Sequence, residues 1–191
     1  MLKNFFLAVL SVLMVLCFAF QTPPAKLVRT RVEAANVSMS VPKGFHLMND
    51  DEVASKYFST QRPTAIFTND NGKIDLGINM TETEWRERDV AMLGKFSKSS
   101  IMNAYTKVTI IQEKEVKING RVFYIIEFVG EIPEDTKAII AKGKVSRYHY
   151  MQYTIANGQQ YVFNFNCPSA QKAQWQIPAK NMMNSVRIGI L

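Results

Sequence analysis

The sequence predicts an α+β fold: a three-layer α/β/α sandwich around a central, mostly antiparallel sheet. Three observations lead there. First, the pairs Asn71-Gly72, Asn119-Gly120 and Asn157-Gly158 each sit between runs rich in β-branched and aromatic residues. Asn and Gly both tolerate the positive φ that tight hairpins require, so each pair joins two antiparallel strands. Second, Val122-Phe123-Tyr124-Ile125-Ile126-Glu127-Phe128 is apolar on both parities, with Glu127 its only charge. Such a strand needs cover on both faces. Third, two long stretches, after Thr81 and after Ser169, have helical spacing and supply the two covers. They weigh against the rival two-sheet β-sandwich.

The chain has 191 residues, 47% of them hydrophobic and 20% charged. That suits one domain whose core needs no disulfide staples, and it excludes collagen-like and acidic disordered chains. Only one long apolar run exists, at the N-terminus, which excludes a polytopic membrane protein. Lys3 gives a positive start, and Phe5 to Phe20 follow without a charge. At helical rise these residues span about 24 Å, short of a hydrocarbon core of about 30 Å. Cys17 and Ala19 take the small-residue positions of a cleavage site, and Gln21-Thr22-Pro23-Pro24 breaks any helix. Residues 1–19 therefore read as a secretory signal peptide. An uncleaved signal anchor is the alternative. Lipidation at Cys17 is a third reading, opposed by the bulky Leu16 before it. After cleavage Cys167 is the sole cysteine, so no intrachain disulfide is possible.

Residues 20–35 are polar, basic and proline-bearing, and read as a flexible linker; residues 36–191 form the single domain. Val37, Met39 and Val41 alternate with Ser38 and Ser40 as a strand with one buried face, ended by Pro42-Lys43-Gly44-Phe45. Asn49 suits the N-cap of a helical turn over 50–58, with acidic residues in its first turn. The first hairpin joins 65–68 to a strand where Ile74, Leu76, Ile78 and Met80 alternate with polar residues or Gly. Thr81 and Glu84 have capping-box spacing before a helix. Its apolar arc comprises Trp85, Met92, Leu93, Phe96 and Ile101, opposite Glu87, Arg88, Lys95 and Lys98. The second hairpin joins 108–117 to 121–129, and the third joins 146–155 to 159–166. A last helical region opens near Ser169, is interrupted at Pro178 and resumes through Met182, Met183 and Val186.

In this order of elements the chain resembles the PsbP-like superfamily, including the DcrB-like exported bacterial proteins. The matching features are the strand ending Val41-Pro42-Lys43-Gly44-Phe45, a hairpin, and a helix around Trp85–Tyr105. Long antiparallel strands follow, then a closing segment Met183-Asn184-Ser185-Val186-Arg187-Ile188. The resemblance covers residues 36–190 and implies an α/β/α binding or assembly module. It brings no shared catalytic constellation and transfers no site residue.

Reactive chemistry is sparse in the sequence. Two His and, after cleavage, one Cys exclude a four-ligand Cys/His zinc site. His46 with Asp50 and Asp51 can hold a divalent ion, although paired Asp residues before a helix ordinarily serve its N-terminus. No metal and no cofactor is expected. Cys167 and His149 form the one conceivable nucleophilic arrangement: pairing about Asn157-Gly158 sets His149 opposite Asn166, beside Cys167. The ordinary reading is a buried Cys and a strand His. No G-x-S-x-G, Walker or G-x-G-x-x-G pattern is present.

Lys137, Lys142, Lys144 and Arg147 surround Gly143 in a basic loop that can dock an anionic surface or partner. Tyr148, Tyr150, Tyr153, Tyr161, Phe163 and Phe165 make an aromatic-rich hairpin, for which cross-strand packing under a helix is the default. The formal net charge of +7 points, in an exported protein, to anionic lipid, cell-wall polymer or an acidic partner rather than nucleic acid. The expectation is an exported, non-enzymatic binding or assembly protein of the cell envelope. Its expected partner is another envelope protein or an anionic surface, with membrane contact only through an uncleaved N-terminal segment. A small hydrolase or thiol enzyme using Cys167 and His149 is the alternative, and a ligand carrier with a pocket between sheet and helix is the third.

Overall fold

The computed structural model describes residues 25–57, 62–132 and 145–189. The signal segment 1–19 lies outside the described residues, as do Lys137, Lys142 and Lys144 of the basic loop. The strands are β1 (Leu27–Val32), β2 (Val37–Pro42), β3 (Phe45–Leu47), β4 (Ala65–Asn69), β5 (Asp75–Glu82), β6 (Lys107–Ile118), β7 (Arg121–Ile132), β8 (Val145–Ala156), β9 (Gln159–Pro168) and β10 (Arg187–Ile188). The helices are α1 (Asp50–Lys56), α2 (Val90–Ala104) and α3 (Lys172–Asn184). Seven strands pair in the order β3-β4-β5-β9-β8-β7-β6, and β1-β2-β10 form a smaller sheet. Every pairing is antiparallel. The fold is α+β, as expected.

All three hairpins form. At Asn119-Gly120 and Asn157-Gly158 both residues take positive φ, the condition for a two-residue turn. At Asn71-Gly72 only Gly72 does, and the loop is wider.

The double-sided strand is the pivot of the packing. Tyr124, Ile126 and Phe128 of β7 face α2, meeting Val90, Leu93 and Ile101. Phe123 and Ile125 face the other way, into a larger cluster with Trp175, Ala179, Met182 and Met183 of α3 and Val37, Met39 and Val41 of β2. Each fully buried side chain of this size contributes roughly 1.5–3 kcal/mol. Gly94 sets how closely α2 approaches: a Cβ there would stand 2.1 Å from the Tyr124 ring. The Tyr124 hydroxyl donates to Glu113, which also receives Lys98 from α2, so helix and strand β6 are tied above that contact.

Several expectations are corrected. The linker 20–35 is not flexible throughout: Leu27–Val32 is a strand, paired with β2 over six residues and returned through Asn36 in a left-handed conformation. Its arginines point outward, which is why it reads as a tether, and Arg29 bonds the Ser185 carbonyl and the Ser38 hydroxyl. Helix α2 opens at Val90, because β5 runs on through Thr81 to Glu82 and consumes the proposed cap. Leu93 and Ile101 of the expected arc are buried, whereas Met92 and Phe96 are 61% and 64% exposed. Helix α3 passes through Pro178 without interruption. A proline costs about 3 kcal/mol inside a helix, and burial of Trp175, Ala179, Met182 and Met183 along one face offsets it.

Candidate functional site

The two faces of the large sheet are covered unequally. On one, α3 and the small sheet share the roof. On the other, α2 packs mainly on β6, β7 and β8, while Ile66, Thr68 and Asp75 are buried, Asp75 beneath Lys56 and Tyr57 at the end of α1. The middle of β5 and β9 between them, at Gly77, Asn79, Gln160 and Asn164, is less covered. Strand register decides what lies there. Asp75 stands opposite Asn166, Gly77 opposite Asn164 and Thr81 opposite Gln160. On the other side of β9, His149 pairs with Asn166 and Met151 with Asn164. Because side chains alternate, these residues and Asn79 share one surface. The polar floor of β5 and β9 thus runs into the apolar ground beneath α2.

The result is one cleft with two halves. An apolar hollow of about 360 Å³ is walled by Trp85, Leu93, Phe96, Tyr105 and Tyr153, with His149 in its floor. A polar hollow of about 450 Å³ is lined by Asn79, Asn164, Asn166, Thr64 and Arg62. Gln160 and Asn164 belong to both.

His149 is 6% exposed and stacks on Phe128 with ring centroids 4.8 Å apart. Its Nε2 lies 3.1 Å from the Tyr105 hydroxyl. Gly130 makes room for that tyrosine, since a Cβ there would come within 2.6 Å of its ring. Burial pushes the imidazole down to about 4, and Asn164 acts in the opposite direction more weakly. Asn164 is close enough to act on the ring but out of hydrogen-bond geometry: neither its Oδ1 nor His149 Nδ1 has a formed partner. At neutral pH the ring is therefore uncharged, with Nε2 beside the Tyr105 hydroxyl and Nδ1 buried on the side of Asn164.

Asp75, at the end of the polar half, is fully engaged. It receives Lys56 Nζ at 2.6 Å, Tyr57 Oη at 2.9 Å and Thr68 Oγ1 at 2.8 Å. Burial and this carboxylate together raise the Tyr57 phenol well above its usual range. The cluster clamps the C-terminal end of α1 to the sheet rather than presenting charge to a ligand.

The sequence-expected residues fall as follows. Arg147 is half-buried on β8; its Nε donates to Asn166 Oδ1 at 3.0 Å and its Nη2 to the Lys73 carbonyl at 2.9 Å. His46 meets Glu52 at 2.9 Å rather than the Asp pair, and Asn49 and Glu52 form a capping box at the start of α1. Among the described residues no group of three His, Cys, Asp or Glu is placed to hold a metal. The Cys167–His149 pairing fails. His149 is opposite Asn166 as expected, but Cys167 is opposite Tyr148 and so faces α3, on the other side of the sheet. Burial also raises its thiol to about 11. The aromatic hairpin divides in the same way: Tyr148, Tyr150, Tyr161, Phe163 and Phe165 join the α3-side core, and Tyr153 joins the α2 side. The cleft residues Gly77, Asn79, Gln160 and Asn164 are absent from the sequence-based candidates. Their signal is Gly77 and Asn79 alternating with Leu76 and Ile78, and Asn164 and Asn166 alternating with Phe163 and Phe165.

No family model and no curated protein matches the sequence. Solved structures do. The solution structure of cyanobacterial PsbP (CyanoP) from Synechocystis sp. PCC 6803 superposes with a TM-score of 0.60 at 13% identity, over 88% of this chain and 95% of that one. The chain has the PsbP/Mog1-like fold. The same fold relates it to the Ran-binding protein Mog1p of Saccharomyces cerevisiae, at a TM-score of 0.53 and 12% identity over 86% and 96% of the two chains. LpqN of Mycobacterium tuberculosis, a protein involved in cell envelope biogenesis, matches at 0.53 and 10% identity over 86% and 91%. At such identity the PsbP/Mog1-like fold is what is shared, and no functional residue transfers with it. No helix among the described residues is long and apolar enough to cross a membrane.

Proposed function

We propose that the chain is an exported, non-catalytic binding or assembly protein of the cell envelope. One observation carries this reading: the less covered part of the sheet forms a cleft lined mainly by aromatic, aliphatic and amide side chains, in which the one hydroxyl–imidazole contact, Tyr105 with His149, is part-buried and the phenol is raised above its ordinary value by burial. His149 is neutral and faces away from Cys167, and Asp75 is consumed by its own ion pair. Such a surface recognises; it does not activate. The N-terminal run Phe5–Phe20 supports export, and the envelope role of LpqN, which shares the fold, is consistent with the same compartment.

The basic segment carrying Lys137, Lys142, Lys144 and Arg147 is proposed as the contact with an anionic envelope component. Two measurements test these statements. Cell fractionation with mass measurement of the native protein finds it outside the cytoplasm, shortened by residues 1–19; an intact cytosolic product overturns export. Binding to anionic liposomes or envelope extract falls when Lys137, Lys142 and Lys144 are changed to Glu together; unchanged binding removes the segment from the contact. Arg147→Gln is assayed separately because Arg147 also supports Asn166.

A further inference from the structure

We infer that the cleft binds a neutral, hydroxyl-rich ligand of the saccharide class, with one ring against Trp85 and Tyr105 and its hydroxyls on Gln160, Asn164 and Asn79. The inference deepens the binding-module reading above by naming what the module takes.

Three observations converge on it. The first is the amide row at the junction of the two halves. Gln160 and Asn164 line both hollows and Asn79 lines the polar one. Asn164 Oδ1 is turned inward beside the buried His149 ring, on which it acts as a weak hydrogen-bond partner, and an amide has further donor and acceptor positions beyond that oxygen. Hydroxyls, which both donate and accept, suit such a row, whereas a carboxylate or an ammonium suits only half of it.

The second is Gly77, in the middle of a central strand, where glycine is unfavourable and commonly marks the approach of a ligand. Its φ is ordinary, so no turn demands it. A Cβ there would meet nothing nearer than the Asn164 carbonyl oxygen at 3.8 Å. The missing side chain leaves space in the cleft and serves no packing need.

The third is the chemistry of the walls. Carboxamides supply paired donors and acceptors at fixed spacing, the complement of vicinal hydroxyls. Indole and phenol faces cover the C–H face of a pyranose, and Tyr105 and Trp85 stand where the amide floor ends. The charges nearby do not ask for an ion: Asp75 is held by Lys56, and Arg147 by Asn166 and Lys73. Arg62 lies at the rim, exposed beside Asp50.

The test uses the purified protein with two probe saccharides, N-acetylglucosamine tetrasaccharide and maltotetraose, and with inorganic phosphate and dodecanoate as contrasting ligands. Binding is read from the Trp85 indole and the Asn79, Gln160 and Asn164 side-chain amide NMR signals. At least one saccharide is expected to shift these signals together at concentrations up to about 10 mM. Gly77→Val, which adds two methyl groups over the floor, is expected to weaken that binding at least about tenfold without lowering the urea midpoint. Asn164→Ala is expected to weaken it while leaving Trp175, on the opposite side of the sheet, unperturbed. No shift with either saccharide, undiminished binding by Gly77→Val, or tighter binding of phosphate or dodecanoate overturns the assignment. Because the measurement is made on purified protein, its failure leaves the export reading standing, and retention of the protein in the cytosol would leave the saccharide result standing.

Discussion

Acid pH should destabilise this protein through His149. The imidazole has an ordinary value of 6.5 and is pushed down to about 4 by burial against Phe128 and Tyr105. The unfolded chain therefore binds a proton that the folded chain refuses, and stability falls as pH drops from 6.5 toward 4. With those two values the loss relative to alkaline pH is just under 1 kcal/mol near pH 6 and about 2 kcal/mol near pH 5, approaching a limit of about 3 kcal/mol. The neighbours that face the ring do not change the sign. Tyr105 is raised by burial and stays protonated, Arg147 opposes a second positive charge, and Asn164 acts weakly the other way. Glu52 and Glu113 are held below the ordinary carboxylate range by their hydrogen bonds, so their acid losses begin lower on the pH scale. Urea denaturation between about pH 8 and pH 5 gives the slope directly, and His149→Phe provides the comparison, since it keeps an aromatic ring on Phe128 and removes the titration. The wild type should lose stability over this interval and the variant should stay nearly flat, whatever their absolute difference. An equal slope in both proteins would refute the assignment, as would an imidazole NMR titration near 6.5.

Three further outcomes are expected. Gly94→Ala should destabilise the protein by about 1–3 kcal/mol in urea melts, although alanine favours helix, because its Cβ would collide with the Tyr124 ring; a gain in stability would show that α2 can lift without cost. Cys167 should resist thiol reagents in the folded state at neutral pH, being fully buried with its thiol raised to about 11, and should react at once in denaturant. Asn157→Ala should cost about 1–2 kcal/mol, the penalty for placing a side chain that disfavours positive φ at 54°, read as a lowered urea midpoint.

The hairpins are legible because Asn-Gly is a local signal: at Asn119-Gly120 and Asn157-Gly158 it sets two positive φ values, and the strand register on each side follows from them. That register correctly opposes His149 to Asn166. The same register carries a second message, that a residue one step along the strand leaves by the other face. Cys167 is next to Asn166 in sequence and is separated from His149 by the thickness of the sheet. Strand β1 illustrates a different limit. Its arginines face solvent and its pairing is with a strand that has its own apolar face, so nothing in its composition distinguishes it from a tether. Pro178 was misleading in the opposite sense, because a local rule against helix yields to burial of Trp175, Ala179, Met182 and Met183 on its neighbours' turns. The cleft was written in the alternation of β5 and β9, but polar residues on one strand face usually mean solvent. Only the tertiary arrangement turns that face into a floor, by setting Trp85, Phe96 and Tyr105 of the α2 region at its edge.

The unequal roofing of the sheet explains why this fold can host a recognition surface without weakening its core. Most of the large buried aromatics lie on the α3 side, where helix and small sheet together exclude water. The larger cluster lies there, and the opposite face is covered mainly by α2 over β6 to β8 and by the end of α1 at Thr68 and Asp75. That division frees β5 and β9 to carry glycine and carboxamides at positions where a packed strand would carry valine or isoleucine. It also places the amide residues of the cleft floor on regular strands, so the spacing of Asn79, Asn164 and Gln160 is held by the backbone pairing of β5, β9 and β8 rather than by a loop. A side chain changed on the α3 face should therefore alter stability first, and one changed on the cleft floor should alter binding first. Gly77 and Gly94 make the contrast sharpest: both are glycines beneath or beside the same helix-covered sheet, yet one borders empty space and the other an aromatic ring.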